Sequence, residues 1–173
     1  MNEEQIIRRD RMRYKRNKVS ANFTLLAIVL DVLYFVNIYQ NDAGTYYHNW
    51  KIGVSIVYNL IFMLAAFLAE EGVKNYKKAY SIPLVILGAI QIGRIFWLPM
   101  QAHTYINVEA GFPEPPMGDG QFIYLVTLLI LSAVCLVIAA VVNLMKCKAL
   151  EAHMKMLEGR GDEGAQALAQ KSV

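Results

Sequence analysis

Asp31 and Arg94 are the residues of this chain best placed to do chemistry, because each sits inside a long apolar run. An ionisable side chain in such a run is costly, so it faces a bundle interior, finds a partner, and marks either a pathway or a structural pin. Counting at ~1.5 Å per residue from the nearer end of its run, Asp31 lies ~12 Å below Tyr39 and Arg94 ~6 Å below Leu98. By the same count Gln91 and Asn59 lie at ~11 Å and Thr127 at ~8 Å. All five fall in the same half of a bilayer. The long Arg94 stem can bridge the difference in depth to Asp31. The expectation is an Asp31–Arg94 ion pair flanked by Asn59, Gln91 and Tyr34. Such a cluster either holds helices in register or forms a site for a solute, ion or proton.

Helical spacing predicts which faces carry these groups. Thr24, Ala27, Asp31 and Tyr34 share one stripe, and Ser55, Asn59, Ala66 and Glu70 share another. Gly88, Gln91 and Arg94 form a third, and Ser132, Cys135, Ala139 and Asn143 a fourth. The remaining faces are Leu, Ile, Val and Phe. Small and polar stripes mark helix–helix contact in a membrane, so these four should face inward.

The elements that must position them are four apolar stretches at 19–39, 52–69, 82–98 and 122–145, each long enough to cross a ~30 Å hydrocarbon core. The chain has 173 residues, 56% of them hydrophobic, and most of it is committed to these spans. The fold class expected is an all-α membrane protein, a four-transmembrane-helix bundle spanning 19–145. A basic cytoplasmic arm precedes it at 1–18, and a cytoplasmic helical extension with a flexible tail follows at 146–173. The first apolar run exceeds the ~7–15 residues of a signal-peptide core and no small-residue cleavage site follows it, so it reads as a signal anchor. Ser81, ahead of Pro83, reads as the cap of the third helix.

Charge sets the orientation expected. Of the 17 Lys and Arg residues only Lys51 and Arg94 lie outside the N-terminal arm, the connection after the second helix and the C-terminal segment. Asp42, Glu109, Glu114 and Asp119 occupy the other connections. The positive-inside rule then predicts both termini in the cytoplasm of a plasma-membrane protein. Tyr39, Trp50, Phe96, Trp97, Phe122 and Tyr124 fall at the opposite boundary, with Tyr76 and Tyr80 at the inner one, as amphipathic rings prefer. The basic arm suits anionic lipid headgroups. It has no folded module to organise nucleic-acid binding, which is not expected.

Several other features have plainer readings. Glu70 and Glu71 stand at a helix C-terminus against the dipole, where Lys74 offsets them. His48 and His103 approach acids only if their loops converge, so no metal is expected. Cys135 and Cys147 are too far apart along one helix to bridge, and read as free thiols. Pro99 to Gln121, rich in Pro and Gly, reads as a non-helical connection. Arg160-Gly161-Asp162 lies on the cytoplasmic side and is not read as an adhesion motif.

No His-rich box, redox Cys pair, HExxH or nucleophile elbow is present, so an enzyme is not expected and no cofactor is implied. Two function classes remain. One is a small accessory or assembly subunit of a membrane complex, with other subunits or copies of itself as partners. The other is a small oligomeric transporter or channel working through the Asp31/Arg94 cluster.

Overall fold

The computed structural model describes residues 15–39, 49–104 and 117–171, with Ile7, Ile106 and Pro115 as isolated positions. Among them are helices α1 (Lys18–Tyr39), α2 (Asn49–Lys74), α3 (Ser81–Trp97), α4 (Pro99–Thr104) and α5 (Asp119–Lys171), with a 3-10 turn at Lys78–Tyr80 and no strand. Four helical segments are long and apolar enough to span a membrane: Lys18–Tyr39, Gly53–Lys74, Lys78–Thr104 and Asp119–Gly159. The protein is a four-helix membrane bundle.

The packing is inside out relative to a water-soluble protein. Val29, Leu60, Ile61, Leu64, Ile82, Phe96, Ile123 and Met145 are exposed, whereas Ser20, Thr24, Asp31, Gln91, Ser132 and Asn143 are buried. A surface this apolar is stable only against lipid, and the polar side chains turn inward to find partners the hydrocarbon does not offer. Every residue of the four inward stripes predicted above is buried.

α5 packs along both α1 and α3, α1 packs on α2, and α2 meets α3 over a smaller contact. The bundle is therefore tight around α5 and loose along the α2/α3 seam. Small residues set the close approaches. A side chain at Gly88 would meet the Ala133 carbonyl at 3.3 Å, and one at Gly72 would enter the Tyr80 ring at 2.2 Å.

One end of the bundle is stapled by hydrogen bonds. The Asn17 backbone N–H donates to the Lys74 carbonyl (2.8 Å), joining the start of α1 to the end of α2. Asn17 Nδ2 donates to Asn143 Oδ1 (3.2 Å), and Asn143 Nδ2 donates to Ser81 Oγ (2.9 Å) and the Lys77 carbonyl (3.2 Å). Lys146 Nζ donates to Asn17 Oδ1 (2.9 Å) and Cys147 Sγ to the Tyr76 carbonyl (3.0 Å). Tyr76 has φ 56°, the left-handed conformation that reverses the chain after α2. Asn17 Oδ1 also accepts from the Ser20 N–H (3.4 Å), an N-cap of α1.

Four expectations are corrected. Ser81 makes no capping bond; its hydroxyl is taken by Asn143, and Tyr80 occupies the cap position without a side-chain bond. The connection after α3 is helical over Pro99–Thr104, because a proline at a first helical position gives up no needed N–H. α2 extends beyond 52–69 at both ends, closing on Lys74, which pairs with Glu70 (3.6 Å) and Glu71 (3.2 Å). The segment from Gly159 on, expected as a frayed tail, is helical, α5 continuing to Lys171. Its glycines cost ~1 kcal/mol each against alanine, while a helix already nucleated adds a bond per residue. Most of the basic arm at 1–18, and the loop holding Asp42 and His48, lie outside the described residues.

Candidate functional site

The cluster is built from Asp31 on α1, Asn59 on α2, and Gln91 and Arg94 on α3, completed by Ser132 on α5. Asp31 and Gln91 are wholly buried, Asn59 is 1% exposed and Arg94 8%. Arg94 Nη1 donates to Asp31 Oδ1 and to Gln91 Oε1 (3.0 Å), and Nη2 donates to Asn59 Oδ1 (2.8 Å). A guanidinium only donates, so it fixes the orientation of both amides. Gln91 Nε2 in turn donates to Asp31 Oδ1 (2.9 Å) and Ser132 Oγ (3.3 Å). Ser132 Oγ donates to the Ala27 carbonyl (3.0 Å). One chain of bonds thus ties all four long helices together at one level.

The guanidinium is also caged by aromatic faces. Its carbon lies 4.6 Å from the Tyr34 ring centroid, 4.8 Å from that of Tyr58 and 6.0 Å from that of Phe62. Cation–π attraction strengthens to ~2 kcal/mol or more once the cation is desolvated. Sequence reasoning named Tyr34 but not Tyr58 or Phe62. Their signal was the spacing of four on α2, beside Ser55 and Asn59, which places both rings on the flank of the inward stripe.

Asp31 Oδ2, Asn59 Nδ2 and the Tyr58 hydroxyl are buried here with no hydrogen-bond partner among the described residues. Beside them, along the loose α2/α3 seam, opens a cleft of about 420 Å³ lined by Tyr34, Val54, Tyr58, Gly93, Arg94 and Trp97 among others.

The structure brings Asp31, Asn59, Gln91, Arg94 and Tyr34 together. It does not bring Thr127, which is exposed and donates back to the Ile123 carbonyl (2.7 Å). Ser132, on the inward stripe of α5, supplies that helix's contact to the cluster. His103 stacks on Phe122 with centroids 4.5 Å apart, Nδ1 3.3 Å from the Met117 carbonyl and Nε2 3.7 Å from Asp119. No three His, Cys, Asp or Glu side chains converge among the described residues. Both cysteines are free and buried.

The fold and the cluster define a four-helix membrane protein with a polar interior. Compared with known proteins, the chain matches no protein-family model, no curated protein and no solved structure.

Proposed function

We propose that the chain is a non-enzymatic accessory or assembly subunit of a larger membrane complex, in the plasma membrane with both termini in the cytoplasm. The observation that carries this reading is α5. Its 53 residues extend ~80 Å at ~1.5 Å per residue, against a hydrocarbon core of ~30 Å. The helix therefore projects far beyond the bilayer as a rod available to a partner. Two further observations support the reading. The Asp31–Arg94 cluster is knitted across the helices, as a register pin would be. Lys74, Lys77, Lys78 and Lys146 gather at the stapled end near Asn17, the sign of charge a cytoplasmic face prefers.

The test is the mass and composition of the protein extracted from its native membrane in mild detergent. A stoichiometric second polypeptide is expected, lost when the chain is cut after Leu157. A particle built only of 19.5 kDa protomers would overturn the reading.

A small transporter or channel is the second reading, and the cleft beside Arg94 is the observation that favours it. Against it stands the Asn17–Asn143–Ser81 staple, which closes one end of the bundle.

A further inference from the structure

We propose that the face of α5 centred on His153 is a docking site for the chain's own basic arm, residues 1–14, which lies along α5 beyond the bundle and closes that face to other partners. His153 stands ~15 Å past Asn143 and the staple that ends the bundle, yet it is only 1% exposed. Leu150, Met154 and Leu157 beside it are half-buried. The four recur at the spacing of an amphipathic stripe, which a helix projecting alone would leave open to solvent.

Direction selects the occupant. Successive residues turn ~100° about a helix, so Glu151 and His153 point to opposite sides of α5. The turn after α2 lies on the Glu151 side: Lys78 Nζ is 3.7 Å from Glu151 Oε2, and Cys147, one turn earlier on that side, donates to the Tyr76 carbonyl (3.0 Å). His153 instead shares a stripe with Lys146, whose Nζ donates to Asn17 Oδ1 (2.9 Å). Its side of α5 is therefore the side on which the chain enters α1. The two helices run antiparallel, since Ser132 Oγ donates to the Ala27 carbonyl (3.0 Å), Ser20 Oγ to the Ala139 carbonyl (2.6 Å) and Asn17 Nδ2 to Asn143 Oδ1 (3.2 Å). Followed back from Asn17, the chain thus heads the way α5 leaves the bundle. The connections that follow α1 and precede α5 belong to the opposite end.

Length and composition fit as well. The residues ahead of Asn17, even wound as a helix, cover ~24 Å, enough to pass His153. Ile7 is helical and 51% exposed; it precedes Asn17 by as many residues as His153 follows Asn143, so the antiparallel register brings the two level. The stripe on α5 carries no acid, and the Ile6-Ile7 pair rather than the arginines suits it. Tethering holds the arm at an effective concentration in the ~mM range, ahead of a second copy. The inference rests on no part of the function proposed above; it narrows the α5 surface left to a partner to the sides turned away from α1.

The full-length protein, in detergent and in phosphatidylglycerol vesicles, is treated with diethyl pyrocarbonate, and modification of each histidine is read by mass spectrometry. His153 should react about tenfold or more slowly than in a chain beginning at Lys15, the ratio a modest local opening energy provides. His103, at the other end of the bundle, should react alike in both. In the full-length chain, a short bismaleimide should join Ile7→Cys to Met156→Cys, on the His153 side, faster than Ile7→Cys to Lys155→Cys, on the far side, and within one chain. Unchanged protection in the shortened chain would mean that another segment covers His153. Protection lost on dilution, or cross-links formed only between chains, would assign the face to a second copy. Protection lost in phosphatidylglycerol would place the arm on headgroups. Each of these would overturn the proposal. If the shortened chain does not fold, the cross-links decide: equal rates to Met156→Cys and Lys155→Cys refute the docking.

Discussion

Arg94 cannot be judged apart from Asp31. Removing one member of a buried pair strands the other, at a cost of about 3–5 kcal/mol, while removing both avoids that penalty. We expect Asp31→Asn and Arg94→Gln each to lower the thermal midpoint in detergent, and the double variant to recover part of the loss. Simple addition of the two losses would mean that the residues act separately. The stripe bearing these residues was legible from spacing alone, because in a membrane the inward face is the one with small and polar side chains. Tyr58 and Phe62 were not, since an aromatic ring suits lipid and a caged cation equally well. Thr127 was read only for its depth, and its face differs from that of the cluster. A hydroxyl satisfied by the carbonyl four residues back can face lipid at little cost. Asn17 was overlooked as one neutral residue in a run of cations, although it caps α1 and reaches Asn143.

Between elements, contact is governed by where backbones come close. Gly72 admits the Tyr80 ring against α2, and a methyl group there would overlap it. Gly72→Ala should cost about 1–3 kcal/mol by overpacking, read as a lowered unfolding midpoint, and Tyr80→Ala in the same chain should restore most of it. Asn143 is the hub of the stapled end. Asn143→Leu leaves the Asn17 amide and the Ser81 hydroxyl without their partner, a loss of about 1–3 kcal/mol. Amide exchange near Lys77 and Ser81 should rise with it. The existence and order of the four long helices followed from hydropathy, while their ends did not. Ser81 and Pro99 carried correct local signals for helix starts. Ser81 was claimed by a partner 62 positions away in the chain, which no local pattern displays. The glycines after Leu157 suggested an end, but the preceding turns carry α5 through.

At the level of the whole molecule, the gathering of lysines around Asn17 predicts which side of the membrane that end occupies. Reporter fusions to either terminus should give a cytoplasmic signal, and signals on opposite sides would exclude the even-numbered bundle. The fold also has an order of assembly built into it. α5 is the hub against which α1 and α3 pack, yet it leaves the ribosome after both of them. Until it enters the bilayer, the Ser20 hydroxyl lacks the Ala139 carbonyl (2.6 Å in the folded bundle) and Ser81 lacks Asn143. A nascent chain stalled before Asp119 would hold three helices with polar flanks turned to lipid. Such a form exposes polar groups that hydrocarbon cannot satisfy, so the unfinished chain differs from the finished one in what it shows to the bilayer.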